Sequence, residues 1–209
     1  MTVKIIQSNI LIGEDMAFSE QENKEIRENL IAEARKCALT LGMRKTSVEE
    51  LTDAVGISKG SFYKYFNSKE LLFFTVLEEI HSELYAVAKE TEERYASLSA
   101  SERATETLLA VCERLSETGA MRFIESDAES ILRRIPEDVK NAHYHDDETH
   151  ITELLREGGL FPEGGTELAA AVVRGLILTV SHKNEIGERY PEVLRLLICG
   201  AMKELFPEA

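Results

Sequence analysis

The chain has 209 residues, 44% hydrophobic and 30% charged, with a formal net charge of −14 at neutral pH. That length buries a substantial core without disulfides or metal, as one mid-sized domain or a small domain fused to a larger one. No apolar run approaches the roughly 20 residues of a membrane span, and no basic segment leads into a long apolar run near the N-terminus.

Only 4 prolines occur, and Ala, Leu, Glu and Arg dominate, so an all-α, cytoplasmic chain is expected. Cys37, Cys112 and Cys199 are odd in number, far apart and set at apolar helical positions, as reduced core thiols would be.

Residues 1–20 show no helical periodicity. VKIIQSNILI suits a strand or a packed arm, and Met16 opens MAFSEQENKEI, itself a sensible protein start. The first helix is expected from Glu22 to Leu41, with Ile26, Leu30, Ala34, Cys37 and Leu41 as its buried stripe and Gly42 as its stop. Then comes TSVEELTDAVGISKGSFYKYFNSKELL, from Thr46 to Leu72. Ser47 and Glu50 have capping-box spacing, and Val48, Leu51 and Val55 share a face. Gly56 can take the positive φ of a sharp helix end, and Ser58 can cap a second helix whose Phe62 and Phe66 point inward. Lys59, Gly60, Ser61, Tyr63, Lys64 and Tyr65 are left outward: donors, cations and aromatic hydroxyls on a helix narrow enough for a major groove.

Ser68 caps a long helix to about Tyr95, and Ser99 with Glu102 caps another to Thr118, ended by Gly119. A shorter helix to Ile135 follows. Pro136 starts the next, which ends near Gly158 and Gly159. Two apolar helices, about 166–183 and 190–206, close the chain. Gly175, Ala170, Ala171, Gly200 and Ala201 would let their backbones approach closely, as in a buried hairpin or a four-helix bundle across a two-fold axis. The expected division is an N-terminal extension (1–20), a helix-turn-helix domain (21–67), and a helical effector-binding and dimerisation domain (68–209).

Charge is divided in the same way. From Arg35 to Lys69 seven cations face three anions, a balance of +4; from Val76 onward 14 cations face 27 anions, a balance of −13. A basic patch on an acidic body can bind phosphate on one side while the rest repels it. A patch of that size neutralises few phosphates, so useful affinity calls for two copies on neighbouring half-sites.

The run GISKGSFYKYFNSKELL closely resembles the DNA-binding domain of TetR-type (TetR/AcrR) transcriptional regulators, and with the preceding helix the resemblance covers about a quarter of the chain. It implies that Ser58, Lys59, Gly60, Ser61, Tyr63, Lys64 and Tyr65 face DNA, with Ser47 and Lys69 on phosphate. Tyr63 and Tyr65 would contact the backbone, leaving Lys59 and Lys64 to read bases. It also implies a homodimer formed by the last two helices, bound to a palindromic operator. A small molecule entering the acidic body would release it through a shift of the long helix, with repression as the default sign. A DNA-bound structural or protein-interaction factor on the same scaffold is the alternative. An enzyme is not expected, since no nucleophile motif, phosphate loop or paired carboxylates stand out.

Candidates for the effector pocket are Cys112, Met121, Phe123, Tyr144 and His182, each also a plausible core residue. No cofactor is required by the sequence. The stretch NAHYHDDETH places His143, Asp146, Asp147 and His150 on one helical face, a competent first shell for zinc or nickel and the basis of a metal-responsive alternative. The default there is a solvated polar face, because no second ligand motif sits at a diagnostic spacing.

Overall fold

Five serines start five helices. Ser19, Ser47, Ser58, Ser68 and Ser99 are each extended, and each accepts a hydrogen bond from the backbone N–H three residues on. The helices are α1 (Glu20–Thr40), α2 (Val48–Val55), α3 (Lys59–Phe62), α4 (Lys69–Arg94) and α5 (Ala100–Thr118). The computed structural model describes residues 19–208, with the backbone alone for 144–149. The sequence expectations for 1–18, including the strand or arm, therefore lie outside the described residues.

Helices α1 to α3 form a small N-terminal unit. Gly56 takes the left-handed conformation at φ 79° and turns α2 into α3. Phe62 and Phe66 are buried as their spacing predicts, beside Leu30, Ala34, Leu51 and Leu72 in one continuous core. Each of these leucines and phenylalanines contributes about 1.5–3 kcal/mol by leaving water. The expected stripe of α1 needs one correction. Leu41 is 57% exposed, while Ile31 and Ala38 join the core. Gly42, at φ 85°, swings the chain so that Met43, fully buried, fills the end of the stripe instead.

Helix α4 continues from this unit into the body, where it packs against α5; its 26 residues span about 39 Å at 1.5 Å per residue. The helix expected before Ile135 is three pieces: α6 (Ala120–Phe123), a π-helical turn (Ile124–Ala128) and α7 (Glu129–Leu132). Then come α8 (Glu137–Glu157), which Pro136 precedes as N-cap, and α9 (Gly165–Leu178). The helix expected to reach residue 183 changes after Leu178 into a 3₁₀ turn (Thr179–His182) and α10 (Lys183–Ile186). Thr179 and Ser181 donate their hydroxyls to the carbonyls of Leu176 and Leu178, both at 2.7 Å, a local bond that competes with helix continuation. Helix α11 (Tyr190–Leu205) completes the body and lies against α5 and α9. No described helix is long and apolar enough to cross a membrane, and the described residues contain no strand.

Candidate nucleic-acid interface

The outward side of α2 and α3 is built on the buried phenylalanines. Because Phe62 is fully buried, its neighbour Tyr63 is 51% exposed, with its ring edge-on to Phe62 at 5.3 Å. Ser58, Lys59, Gly60 and Lys64 are exposed around it, and Ser61 is half-buried. The Ser58 and Ser61 hydroxyls lie 2.9 Å apart and hold the N-terminus of α3. Lys59 pairs with Glu49 at 2.5 Å, with both side chains more than half exposed. Solvent screens an exposed pair of this kind, so a phosphate can take the ammonium at little cost.

Three expected contacts have other tasks. Tyr65 is half-buried and donates its hydroxyl to Asn23 on α1 at 2.8 Å. Lys69 donates to the carbonyls of Met43 and Thr46 at 2.9 and 2.7 Å, stapling the α1–α2 connection to the start of α4. Ser47 spends its backbone N–H and its hydroxyl on Glu50, at 2.7 and 2.9 Å. These bonds hold the Glu50 carboxyl below its usual range, so a negative charge sits where phosphate was expected. The outward-facing set is therefore Ser58, Lys59, Gly60, Tyr63 and Lys64, while Ser47, Tyr65 and Lys69 organise the scaffold beneath it.

The structure adds Asp127, which nothing in the sequence marked out. It is 2% exposed, on the π turn, and accepts from the backbone N–H of Met43 at 2.9 Å and from Arg44 Nε at 3.1 Å. Arg44 also donates to the carbonyl of Ser126. A Cβ on Gly42 would stand 2.7 Å from Asp127 Oδ2, so glycine there serves both the turn and the carboxylate. Arg134 beside α7 pairs with Glu70 at 3.2 Å, and Arg35 on α1 reaches Glu83 on α4 at 2.7 Å. The N-terminal unit is thus tied to the body by a latch at residues 42–44 and to α4 by charged pairs.

Among the described side chains, the expected effector residues do not converge on a cavity. Cys112, Met121 and Phe123 are each at most 4% exposed and belong to the core; burial pushes the Cys112 thiol up to about 12, so it stays protonated. His182 stands outward, bonded to Glu185 at 2.9 Å, and Tyr144 lies outside the described side chains. A cavity of about 450 Å³ opens instead beside the C-terminal end of α5, lined by Ser116, Lys183, Asn184, Tyr190 and Pro191 among others.

Of the expected metal face, only His143 and His150 have described side chains. Side chains of Asp146 and Asp147 lie outside the description, and His150 is exposed with its ring 4.8 Å from Tyr85. His143 is 4% exposed and turns to α4, where Nδ1 lies 2.6 Å from Glu78 Oε1.

Residues 30–76 match the family model for bacterial regulatory proteins of the tetR family. An HTH-type transcriptional repressor of Mycobacterium tuberculosis is 33% identical over 70 residues, covering 34% of this chain and 37% of that protein. The match thus spans little more than a third of that repressor. The nucleoid occlusion factor SlmA of Shewanella pealeana is 28% identical over 177 residues, covering 79% of this chain and 83% of the factor. Among solved structures, the transcriptional regulator FadR of Bacillus subtilis in complex with stearoyl-CoA superposes with a TM-score of 0.63 at 17% identity, over 85% of this chain and 98% of that one.

Proposed function

This chain belongs to the TetR family of bacterial regulatory proteins, and we propose that it is a homodimeric, ligand-responsive DNA-binding regulator that represses from a palindromic operator. The observation that carries the reading is the face of α2 and α3, where Ser58, Lys59, Gly60, Tyr63 and Lys64 stand outward over buried Phe62 in a chain whose net charge is −14. An acidic protein keeps phosphate away from most of its surface, so a local basic and hydroxyl-bearing face selects where a duplex docks. Lys64 and Lys59 are the proposed base readers, and Tyr63 and Ser58 the proposed backbone contacts.

The dimer reading rests on the outer faces of α9 and α11. Leu168, Ala171, Gly175 and Leu178 line one, and Leu196, Leu197 and Gly200 the other, all exposed in the single chain. A Cβ on Gly175 or Gly200 would meet no atom within 4 Å, so these glycines leave room on the outside of the fold. Two such faces can bury each other about a two-fold axis and set α3 and its copy on successive major grooves, about 34 Å apart.

A small molecule in the body would then act through α4 and the Asp127 latch. The ligand need only prefer one arrangement of the two units; a preference of about 3 kcal/mol shifts the equilibrium between them more than 100-fold. Lys64→Ala and Tyr63→Phe should each weaken binding to the chain's own promoter DNA at least about tenfold, with helix content and dimerisation unchanged, a contact loss of ~1–3 kcal/mol. Binding equal to that of the parent protein, measured by fluorescence anisotropy, would rule out the assignment of this face. The similarity over 83% of a nucleoid occlusion factor supports a second reading, a DNA-bound factor that occupies many genomic sites. Genome-wide occupancy separates the two, since a dedicated regulator concentrates at few promoters.

A further inference from the structure

The most concentrated group of metal-ligating side chains among the described residues bridges α4 and α8. Glu78 and His81 lie one helical turn apart on α4, and His143 comes from α8; one donor atom from each falls within 4.8 Å of the others. The two imidazoles stack at 5.2 Å with 22° between their planes, and Phe74 closes one side with its ring 5.5 Å from His143. Glu78, 38% exposed at its side chain, leaves one side open to solvent. The geometry points to a binding site for a divalent transition-metal ion of the zinc class, held by Glu78, His81 and His143.

The donor set selects the ion. Two imidazoles and one carboxylate suit zinc, nickel or cobalt, whereas magnesium and calcium take all-oxygen sets. Zinc bonds of about 2.0–2.2 Å put tetrahedral donors roughly 3.4 Å apart, so the present spread of up to 4.8 Å closes with side-chain rotation of about 1 Å. Three protein donors leave a fourth position for water or for an anionic group of a small molecule, the arrangement of an open zinc site. Glu78 and His143 are already within 2.6 Å, and a single hydrogen-bonded ion pair would be the simpler account of those two residues. That account concerns two of the three donors that the fold gathers. The donors here are also a different set from the one a single face of α8 suggested, because they come from two helices 62 positions apart in sequence.

The location gives the metal a consequence. Glu79 and Glu83, interleaved with these ligands on α4, are the residues that hold Arg35 on α1. An ion that pins α4 to α8 therefore fixes the helix to which the DNA-binding unit is clamped. This consequence rests on the DNA-binding reading above; the binding of metal does not.

The test uses the full chain, stripped with a chelator and free of any histidine tag. Zinc is titrated against a chromophoric competitor, and cobalt is followed by its visible absorption. One ion per chain at micromolar or lower free zinc is expected, with affinity reduced at least tenfold in Glu78→Gln and in His81→Gln. The conservative His143→Gln adds a third arm at the buried position, and circular dichroism confirms that each variant is folded. His182→Gln, a remote exposed histidine, should leave the titration unchanged. No binding by the parent at micromolar free zinc, or full affinity in folded Glu78→Gln and His81→Gln, overturns the site, as does affinity lost only in His150→Gln. Promoter binding is then measured with and without zinc. Binding of the ion with unaltered DNA affinity overturns its role as effector. Absence of DNA binding in both forms overturns the regulator reading and leaves the metal count as it was measured.

Discussion

Asp127 shows how much one carboxylate can organise. Its two oxygens meet a backbone N–H and a guanidinium, and both bonds cross from the body to residues 43 and 44. Hydrogen bonds to a charged group contribute about 1.5–3 kcal/mol each when buried, but Arg44 is 63% exposed, so solvent screening reduces its share. The Met43 amide bond dominates. Asp127→Ala should therefore destabilise the chain by about 2 kcal/mol, chiefly by orphaning that buried amide. Asp127→Asn should cost less, since an amide oxygen still accepts from Met43. Thermal unfolding of the two variants checks the order, and equal losses would mean that the Arg44 charge carries the latch.

Elements are set by signals of different reach. Ser47 with Glu50 and Ser99 with Glu102 are capping boxes visible in sequence because donor and acceptor are three residues apart, and both form. The third, Ser19 with Glu22, has the same spacing, and with it α1 starts at Glu20, two residues before the expected Glu22. The π turn at 124–128 has no such local cue. Its residues, IESDA, suit an ordinary helix, and its placement goes with the reach of Asp127 to the α1–α2 connection. The C-terminal end of α8 is held in a similar long-range way. Arg103 on α5 donates to Glu92 on α4 at 2.7 Å and to the carbonyl of Gly158 at 2.8 Å, with both charged side chains no more than 15% exposed. Breaking one side of such a pair strands the other charge. Glu92→Ala should cost about 3 kcal/mol, and roughly 6–12 °C in melting temperature for a chain of this size. The surface pair of Lys89 with Glu157 joins α4 to the end of α8 but is more than half exposed, and Glu157→Ala should change stability far less than Glu92→Ala does. Similar losses from both would mean that burial is not what strengthens the Arg103 link.

For the whole molecule the decisive feature is unfinished burial. Leu196 is 74% exposed, Leu178 53%, Leu168 49% and Leu197 46%, all on α9 and α11. Scattered exposed leucines are ordinary, but these four join small residues on one pair of helices, as a partner surface does. Stable dimers bury about 1,600 Å² in total, and two copies of a two-helix face are of a size to do so. Leu196→Glu places a charge at the centre of that face and should convert a dimer into monomers, measured by analytical ultracentrifugation. Operator affinity should fall with it by about 100-fold or more, because each half-site then binds alone. A dimer that survives Leu196→Glu would move the interface elsewhere. The expected effector residues are equally plausible core residues from sequence, and the three buried ones fill the core. Cys112, Met121 and Phe123 are apolar and central, and a sequence cannot tell a side chain lining a cavity from one filling it.

The sequence by itself determined the helical class, most helix limits, the inward phenylalanines and the outward Tyr63 and Lys64. Those depend on caps, glycine and three-or-four-residue spacing, all of which act within a turn or two of chain. Tertiary structure alone decided that Lys69 and Tyr65 serve the scaffold, that Asp127 latches the body to residues 43 and 44, and that His143 meets Glu78 and His81. Each of those outcomes joins groups more than 20 positions apart. The direction in which a polar side chain spends its donors is set by what the fold brings beside it, and its own neighbours in sequence carry no record of that.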